Sequence, residues 1–280
     1  MAIILALLSA LSYGGSDFLA GLASRRGNEG VVLMLVQPFG LVAALLALAW
    51  FRGAPPGIAS LAWGAASGIG SGIGTAMLYR GLAIGRMSVV APLSAVVAAI
   101  VPVVAGIFLG QKLSAPALAG IAAAIPAIGL VSWQRDEANG RDQGVFYGLI
   151  AGFGFALLFV ALDRAGTAAG AWPLVPGQAV ANLVVIPFAW QGIRGQPGWR
   201  SSVRSSAPSC VAAGLLAGAA ALLFLAASGR GYLAVVAVIS SLYPAATILL
   251  ARMVLGERLN RTQAAGLLAA AAAVILISIG

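Results

Sequence analysis

The sequence has no histidine and only one cysteine, Cys210. A disulfide within the chain is therefore impossible, and so is a metal site built from several cysteine and histidine ligands. The missing histidine also excludes a serine–histidine dyad and the HExxH motif of zinc proteases. We therefore expect no metal, no cofactor and no catalytic residues, in a protein that is not an enzyme.

Charged residues are scarce as well, since they make up 8% of the chain whereas hydrophobic residues make up 61%. Soluble domains are typically about 25% charged and about 45–50% apolar. Because so few charged side chains cannot cover the surface of a 280-residue globule, this composition requires lipid as the solvent. The 16 basic residues are scattered between hydrophobic runs, which excludes the basic stripe of a nucleic-acid-binding protein.

Long hydrophobic segments recur along the chain, and about 20 apolar residues are enough to cross a bilayer. Short connections separate them, so little of the chain remains for a soluble domain. The pattern predicts an all-α membrane protein with ten transmembrane helices, near residues 2–23, 31–51, 58–79, 88–109, 115–133, 144–163, 171–191, 208–228, 232–251 and 263–280.

The two halves of the chain resemble each other. When the halves are superposed in sequence, the Gly-Gln-Lys-Leu turn at 110–113 aligns with Gly-Glu-Arg-Leu at 256–259. This alignment predicts a first five-helix repeat at residues 1–138 and a second at residues 139–280. Because each repeat has an odd number of helices, the second repeat must insert upside down. Inverted repeats of this kind are the architecture of many secondary transporters.

Basic residues are distributed unequally between the two predicted faces of the membrane protein. Four of the 16 fall on one face, namely Arg52, Lys112, Arg164 and Arg230, and the other twelve fall on the opposite face. Short loops rich in arginine and lysine remain in the cytoplasm. We therefore expect a multi-pass protein of the cell's inner membrane, with the arginine-rich face in the cytoplasm and both termini outside.

Asp17 is an acidic residue inside the first predicted span, about two helical turns before Arg25. Ionisable residues within a membrane are costly and commonly functional. We interpret Asp17 as a proton or cation site, or as the partner of a substrate amine. The alternative is a structural role, in which Asp17 lies close enough to the interface to pair with Arg25 or Arg80.

Amide side chains occur at matching positions of the two halves. Gln37 in the second predicted span aligns with Gln178 in the seventh, and Asn182 follows Gln178 by one helical turn. We interpret them as amides that line a central cavity, although they could instead form hydrogen bonds that only hold the helices together. The remaining predicted substrate-binding residues, for which plain packing is the alternative, are Tyr79, Ser94 and Tyr243.

Two segments carry a resemblance to a known family. The segment ALSYGGSDF occupies 10–18, and SSLYP at 240–244 precedes the Gly-Glu-Arg-Leu turn. They resemble the ten-helix EamA-type permeases of the drug/metabolite transporter superfamily, over essentially the whole chain. The resemblance implies a fold of two inverted five-helix repeats and the transport of amino acids or other metabolites. The sequence departs from the family pattern at Gln111, where the first turn lacks the usual glutamate.

We therefore expect a secondary transporter that exports small metabolites or amino acids by alternating access. An alternative is a proton-coupled exporter of organic cations, since related four-helix multidrug exporters couple protons through a first-helix carboxylate and Asp17 lies in the first helix. A channel is less favoured, because the spans carry no charged rings. The expected partners are a small-molecule substrate and the lipid bilayer, without nucleic acid. A monomer would hold a complete pathway, and a dimer is an open alternative.

Overall fold

The structure is a computed structural model that describes residues 1–26, 28–84, 87–131, 141–194, 199–256 and 260–279. The regular secondary structure of these residues is helical, apart from one isolated bridge between Arg52 and Gly170, and turns or irregular segments connect the helices. The helices are α1 (Ala2–Arg26), α2 (Glu29–Trp50), α3 (Ile58–Ile84), α4 (Met87–Phe108), α5 (Ala115–Val131), α6 (Arg141–Ala165), α7 (Leu174–Ile193), α8 (Trp199–Ser228), α9 (Leu233–Ser240), α10 (Tyr243–Leu255) and α11 (Arg261–Ser278).

Each predicted span overlaps a helix, and the prediction of an all-helical membrane protein is confirmed. Seven of the described segments are long and apolar enough to cross a membrane, with α9 and α10 together forming one of them, Leu233–Leu255. The apolar segments Leu93–Phe108 and Ala115–Val131 are shorter. The 27-residue α3 is long enough but is not among the seven, since glycines and hydroxyl side chains interrupt its apolar residues.

The ninth predicted span is interrupted, whereas the sequence predicts a continuous helix near 232–251. The N–H of Ser241 donates to the carbonyl of Ala237 at 2.8 Å, and the next N–H, that of Leu242, donates to Ile239 at 3.1 Å in a tighter turn. Pro244, two residues further on, has no N–H and cannot donate a helical hydrogen bond. The chain therefore leaves α9 and begins α10 at the centre of a span.

Helices of one half pack mainly against helices of the other half. α3 lies against α6 and α7, while α8 lies against α1 and α2, and α5 lies against α11. Glycine makes these approaches possible: a methyl group at Gly68 of α3 would overlap the carbonyl of Gly177 in α7, and one at Gly214 of α8 would overlap the carbonyl of Val36 in α2. Small residues allow this backbone contact between membrane helices.

The two halves also meet at opposite ends of the molecule, where loops and helix ends come into contact. At one end, the Asn28 side chain donates from Nδ2 to the carbonyl of Gly192 at 2.8 Å. At the other end, the Ala54 N–H donates to the carbonyl of Ala168 at 2.8 Å. At that second end Gln111 accepts, through Oε1, a hydrogen bond from the N–H of Ala234 at 3.2 Å, at the start of α9.

Parts of the predicted repeat lie outside the described residues. They are residues 257–259 of the second turn, including Glu257, and the predicted repeat boundary between residues 138 and 139. The two turn glycines are described, and both have left-handed backbones, with φ of 81° at Gly110 and 68° at Gly256. Glycine adopts this conformation without steric penalty, which explains its presence at both turns.

We predict that Gly68→Ala and Gly214→Ala each destabilise the folded protein by about 1–3 kcal/mol, because the new methyl group meets backbone that cannot move aside. The measurement is the melting temperature of the detergent-purified protein. Gly21→Ala is the matched control, since a methyl group at Gly21 of α1 would contact nothing within 4 Å. Equal melting temperatures for all three variants would contradict the proposed backbone contacts.

Candidate functional site

A cavity lies at the centre of the helix bundle, between the two halves of the chain. Helices α1, α2 and α3 contribute from the first half, and α6, α7, α8 and α10 contribute from the second. A volume of about 70 Å³ inside it is accessible to the centres of water molecules, which is enough space for several waters. The lining residues are Tyr13, Ser16, Asp17, Val36, Gln37, Ser71, Thr75, Leu78, Tyr79, Phe155, Leu158, Phe159, Gln178, Ala217, Ala221 and Tyr243.

Asp17 is the acidic residue of this lining, and no basic residue accompanies it there. Its carboxylate makes no hydrogen bond or ion pair with any side chain that the structure describes. Of the two arginines considered as structural partners, Arg80 is exposed at the end of α3, and the side chain of Arg25 lies outside the described part. The cavity therefore presents a carboxylate whose charge no described side chain neutralises.

Aromatic rings surround the acidic group. The ring of Tyr13 meets Phe159 edge-on, with centroids 6.3 Å apart, and Phe159 stacks on Phe224 at 4.4 Å. The hydroxyls of Tyr13 and Tyr243 are buried without a hydrogen bond of normal geometry to the described residues, although Ser94 lies beside Tyr243. Buried hydroxyl groups are nearly always hydrogen-bonded, so these two remain free for water or a ligand.

The two glutamines predicted from the repeat both line the cavity, but in different ways. Gln37 is only 7% exposed, and its Nε2 has no hydrogen-bond partner among the described residues. Gln178 lies with its carboxamide against Gly40 of α2. An unpartnered amide N–H₂ can only donate, so Gln37 offers a donor to any bound molecule that carries an acceptor.

Ser94 and Asn182 are predicted site residues that lie outside the cavity lining. Ser94 is fully buried in α4, where its hydroxyl donates to the carbonyl of Ala91 at 2.9 Å. The Nδ2 of Asn182 donates to the carbonyl of Gln37 at 3.1 Å and to that of Gln178 at 2.8 Å. Asn182 therefore joins α7 to α2 directly behind the two cavity glutamines.

The sequence interpretation did not select the hydroxyl residues of the cavity wall, Ser71 and Thr75 of α3. Together with Tyr79 they recur at every fourth position, which places all three on one face of the helix. A polar face on an otherwise apolar membrane helix is a signal that could have identified them. Ser16 of α1 precedes Asp17 and gave no comparable signal.

The described residues contain no group of three or more histidine, cysteine, aspartate or glutamate side chains that could hold a metal ion. The cavity instead combines one carboxylate, several hydroxyls, two amides and aromatic rings. Such a set is chemically able to bind a small molecule through an ionic contact, hydrogen bonds and apolar contact.

We predict that Asn182→Leu lowers the melting temperature by removing both hydrogen bonds, at a cost of about 1 kcal/mol. Gln37→Leu, a substitution of similar shape, should leave the melting temperature of the ligand-free protein unchanged or raised, because it removes an unpartnered buried donor. A larger loss for Gln37→Leu than for Asn182→Leu would show that these roles are reversed.

Comparison with known proteins identifies the second half of the chain. Residues 142–279 match the model of the EamA-like transporter family. No curated protein matches the sequence significantly. A protein known from a crystal structure has a similar fold, with a TM-score of 0.74 and 19% sequence identity, over 99% of this chain and 96% of the other. The chain is therefore a multi-pass membrane protein whose residues 142–279 form a domain of the EamA-like transporter family.

Proposed function

We propose that the protein is a secondary transporter that exports a small metabolite or amino acid by alternating access. The observation that carries the proposal is the central cavity, which both halves line and in which Asp17, Tyr13, Tyr243 and Gln37 present groups without described partners. The family consists of transporters, so the cavity is taken as a binding site and the protein as having no catalytic activity.

Equivalent contacts support an inverted repeat, with residues 1–138 and 139–280 as its two units. The contact of Gly68 with the carbonyl of Gly177 becomes, after exchange of the halves, the contact of Gly214 with the carbonyl of Val36. These exchanges agree with the sequence alignment of the halves, which pairs Gly68 with Gly214 and Val36 with Gly177. A contact that repeats with the roles of the halves exchanged is the pattern expected of two related units.

The contacts at the two ends of the bundle also correspond when the halves are exchanged. At one end, the loop between α1 and α2 meets the C-terminal end of α7, through Asn28 and Gly192. At the other end, the loop between α6 and α7 meets the loop after α2, through Arg52 and Gly170. Two such halves can exchange conformations, and the exchange would open the cavity to the other side of the membrane.

We place the amine of the substrate at Asp17, and the rest of the substrate against Tyr79, Tyr243 and Phe155. Gln37 and Gln178 complete the wall, while Ser94 and Asn182 hold that wall from behind. The unpartnered donor on Gln37 favours a substrate that also carries an acceptor, as the carboxylate of an amino acid does. A single carboxylate among aromatic rings, with no basic residue in the lining, also favours an organic cation as the second candidate.

Asp17 also suggests how transport is driven. A carboxylate without a partner among the described residues can hold either a proton or the substrate amine, but not both at once. Such mutually exclusive binding would exchange protons for substrate across the membrane. An inward proton gradient would then drive substrate outwards, which fits export across the inner membrane. The excess of arginines at the ends of α3, α7, α8 and α10 supports a cytoplasmic location for that face.

We predict that at least one of L-leucine, L-phenylalanine, phenethylamine and tetraethylammonium stabilises the purified protein. At a ligand concentration of 100 times Kd the stabilisation is about 2.7 kcal/mol, which appears as a higher melting temperature. Stabilisation by both phenylalanine and leucine indicates an amino acid site, whereas stabilisation by the two amines alone indicates an organic cation site.

Asp17→Asn should abolish that stabilisation. In proteoliposomes that contain the wild-type protein, uptake of the same ligand should saturate and respond to a pH gradient. Asp163→Asn is the matched control, because Asp163 is an acid near the end of α6, outside the cavity lining. Uptake that does not saturate would indicate a channel. An unchanged pH-gradient response in Asp17→Asn would remove proton coupling from the proposal.

A further inference from the structure

Gly40 of α2 lies one helical turn after Gln37, and it is not itself part of the cavity lining. A Cβ atom at this position would lie 2.6 Å from Oε1, 3.2 Å from Cδ and 3.6 Å from Nε2 of Gln178. The three nearest atoms all belong to one carboxamide group. The side chain of Gln178 thus occupies the space that any side chain at position 40 would need.

The surroundings of Gly40 leave α2 and α7 little freedom to move apart. On α8, a Cβ at Gly218 would lie 2.9 Å from the carbonyl oxygen of Gly40. On α7, Asn182 holds the carbonyls of both Gln37 and Gln178. A methyl group at position 40 would therefore displace the flexible end of Gln178 and leave the helices in place. Ordinary contact at 3.4 Å requires a displacement of about 0.8 Å.

The displaced carboxamide has open space in front of it, because Gln178 lines the central cavity. It also lines the small crevice that continues the cavity between α3, α6 and α7. Ser71, Leu158 and Ala221 line both spaces as well, so the crevice adjoins the cavity. Movement of Gln178 away from Gly40 consequently narrows the space that a ligand would occupy.

The equivalent position in the other half differs. The alignment that pairs Gln37 with Gln178 also pairs Gly40 with Ala181. Ala181 carries a methyl group, so Gln37 cannot lie across α7 as Gln178 lies across α2. Only one of the two glutamines is thus seated on the backbone of the facing helix.

We propose that Gly40 is a specificity-determining residue of the cavity. By lacking a side chain it seats the Gln178 carboxamide against α2, and this position sets both the width of the cavity and the direction of the amide towards the substrate. The inference rests on the proposed transport function, since it assigns substrate selection to that same cavity. Gly40 acts through Gln178 and does not touch the substrate.

The first experiment is a double-mutant cycle on the ligand-free protein, using Gly40→Ala, Gln178→Ala and the double variant. If the methyl group acts on Gln178, Gly40→Ala lowers the melting temperature by a few degrees in the wild-type background and by much less in Gln178→Ala. Gly21→Ala is the control for the same substitution in an open part of a helix, and its effect should be the same in both backgrounds. Equal effects of Gly40→Ala in the two backgrounds would overturn the proposal.

The second experiment measures dissociation constants for L-alanine, L-leucine and L-phenylalanine with wild-type protein and Gly40→Ala. The ratio of the phenylalanine to the alanine constant should rise about tenfold or more in Gly40→Ala, because a narrower cavity penalises the larger side chain. An unchanged ratio, with binding intact, overturns the proposal. If the wild-type protein binds neither these amino acids nor the organic cations, the proposed function fails and substrate selection by Gly40 fails with it. The cycle then still reports whether Gly40 seats Gln178.

Discussion

Direct backbone contact between helices of different halves is the constraint on which the rest of the structure depends. Lipid gives apolar helices no hydrophobic reason to associate, so close packing must supply the attraction. The contacts of Gly68 with Gly177 and of Gly214 with Val36 bring α3 against α7, and α8 against α2, so closely that no Cβ atom would fit between them. They also fix the rotation of each helix, and thereby decide which side chains face the centre.

The cavity follows from this arrangement, because small residues crowd the helices together on either side of it. Larger side chains such as Tyr13 and Phe159 line the space that remains at the centre. The interruption between α9 and α10 lies beside the same space, where Tyr243 joins the lining. Broken backbone at membrane depth is tolerated only where protein or water surrounds it, which holds for this buried position.

The two halves contribute different chemistry to the cavity. Gly14 of α1 packs on α10, and Gly152 of α6 packs on α4. Near these contacts, Asp17 of α1 and Phe155 of α6 both line the cavity. One half therefore supplies the charge and the other a ring. The alignment of the halves pairs Gly40 with Ala181, which adds a second difference, in the residues that accompany the two cavity glutamines.

The amino-acid sequence by itself determined that the protein is a helical membrane protein and where its spans lie, because hydrophobic length is a local property. It also identified Asp17, Gln37 and Gln178, since a polar residue within an apolar span is conspicuous without any structure. The family was recognisable from short segments for the same reason. These features depend on residue type and spacing alone.

Only the tertiary structure decided what each polar group does. Asn182 has the same sequence signal as Gln178, yet its amide is occupied by two carbonyls, because the rotation of α7 directs it towards α2. Ser94 is buried behind the wall, whereas Ser71 and Thr75 of α3 face the cavity. The direction of a side chain depends on which neighbour its helix packs against, and that information is spread over contacts distant in the chain.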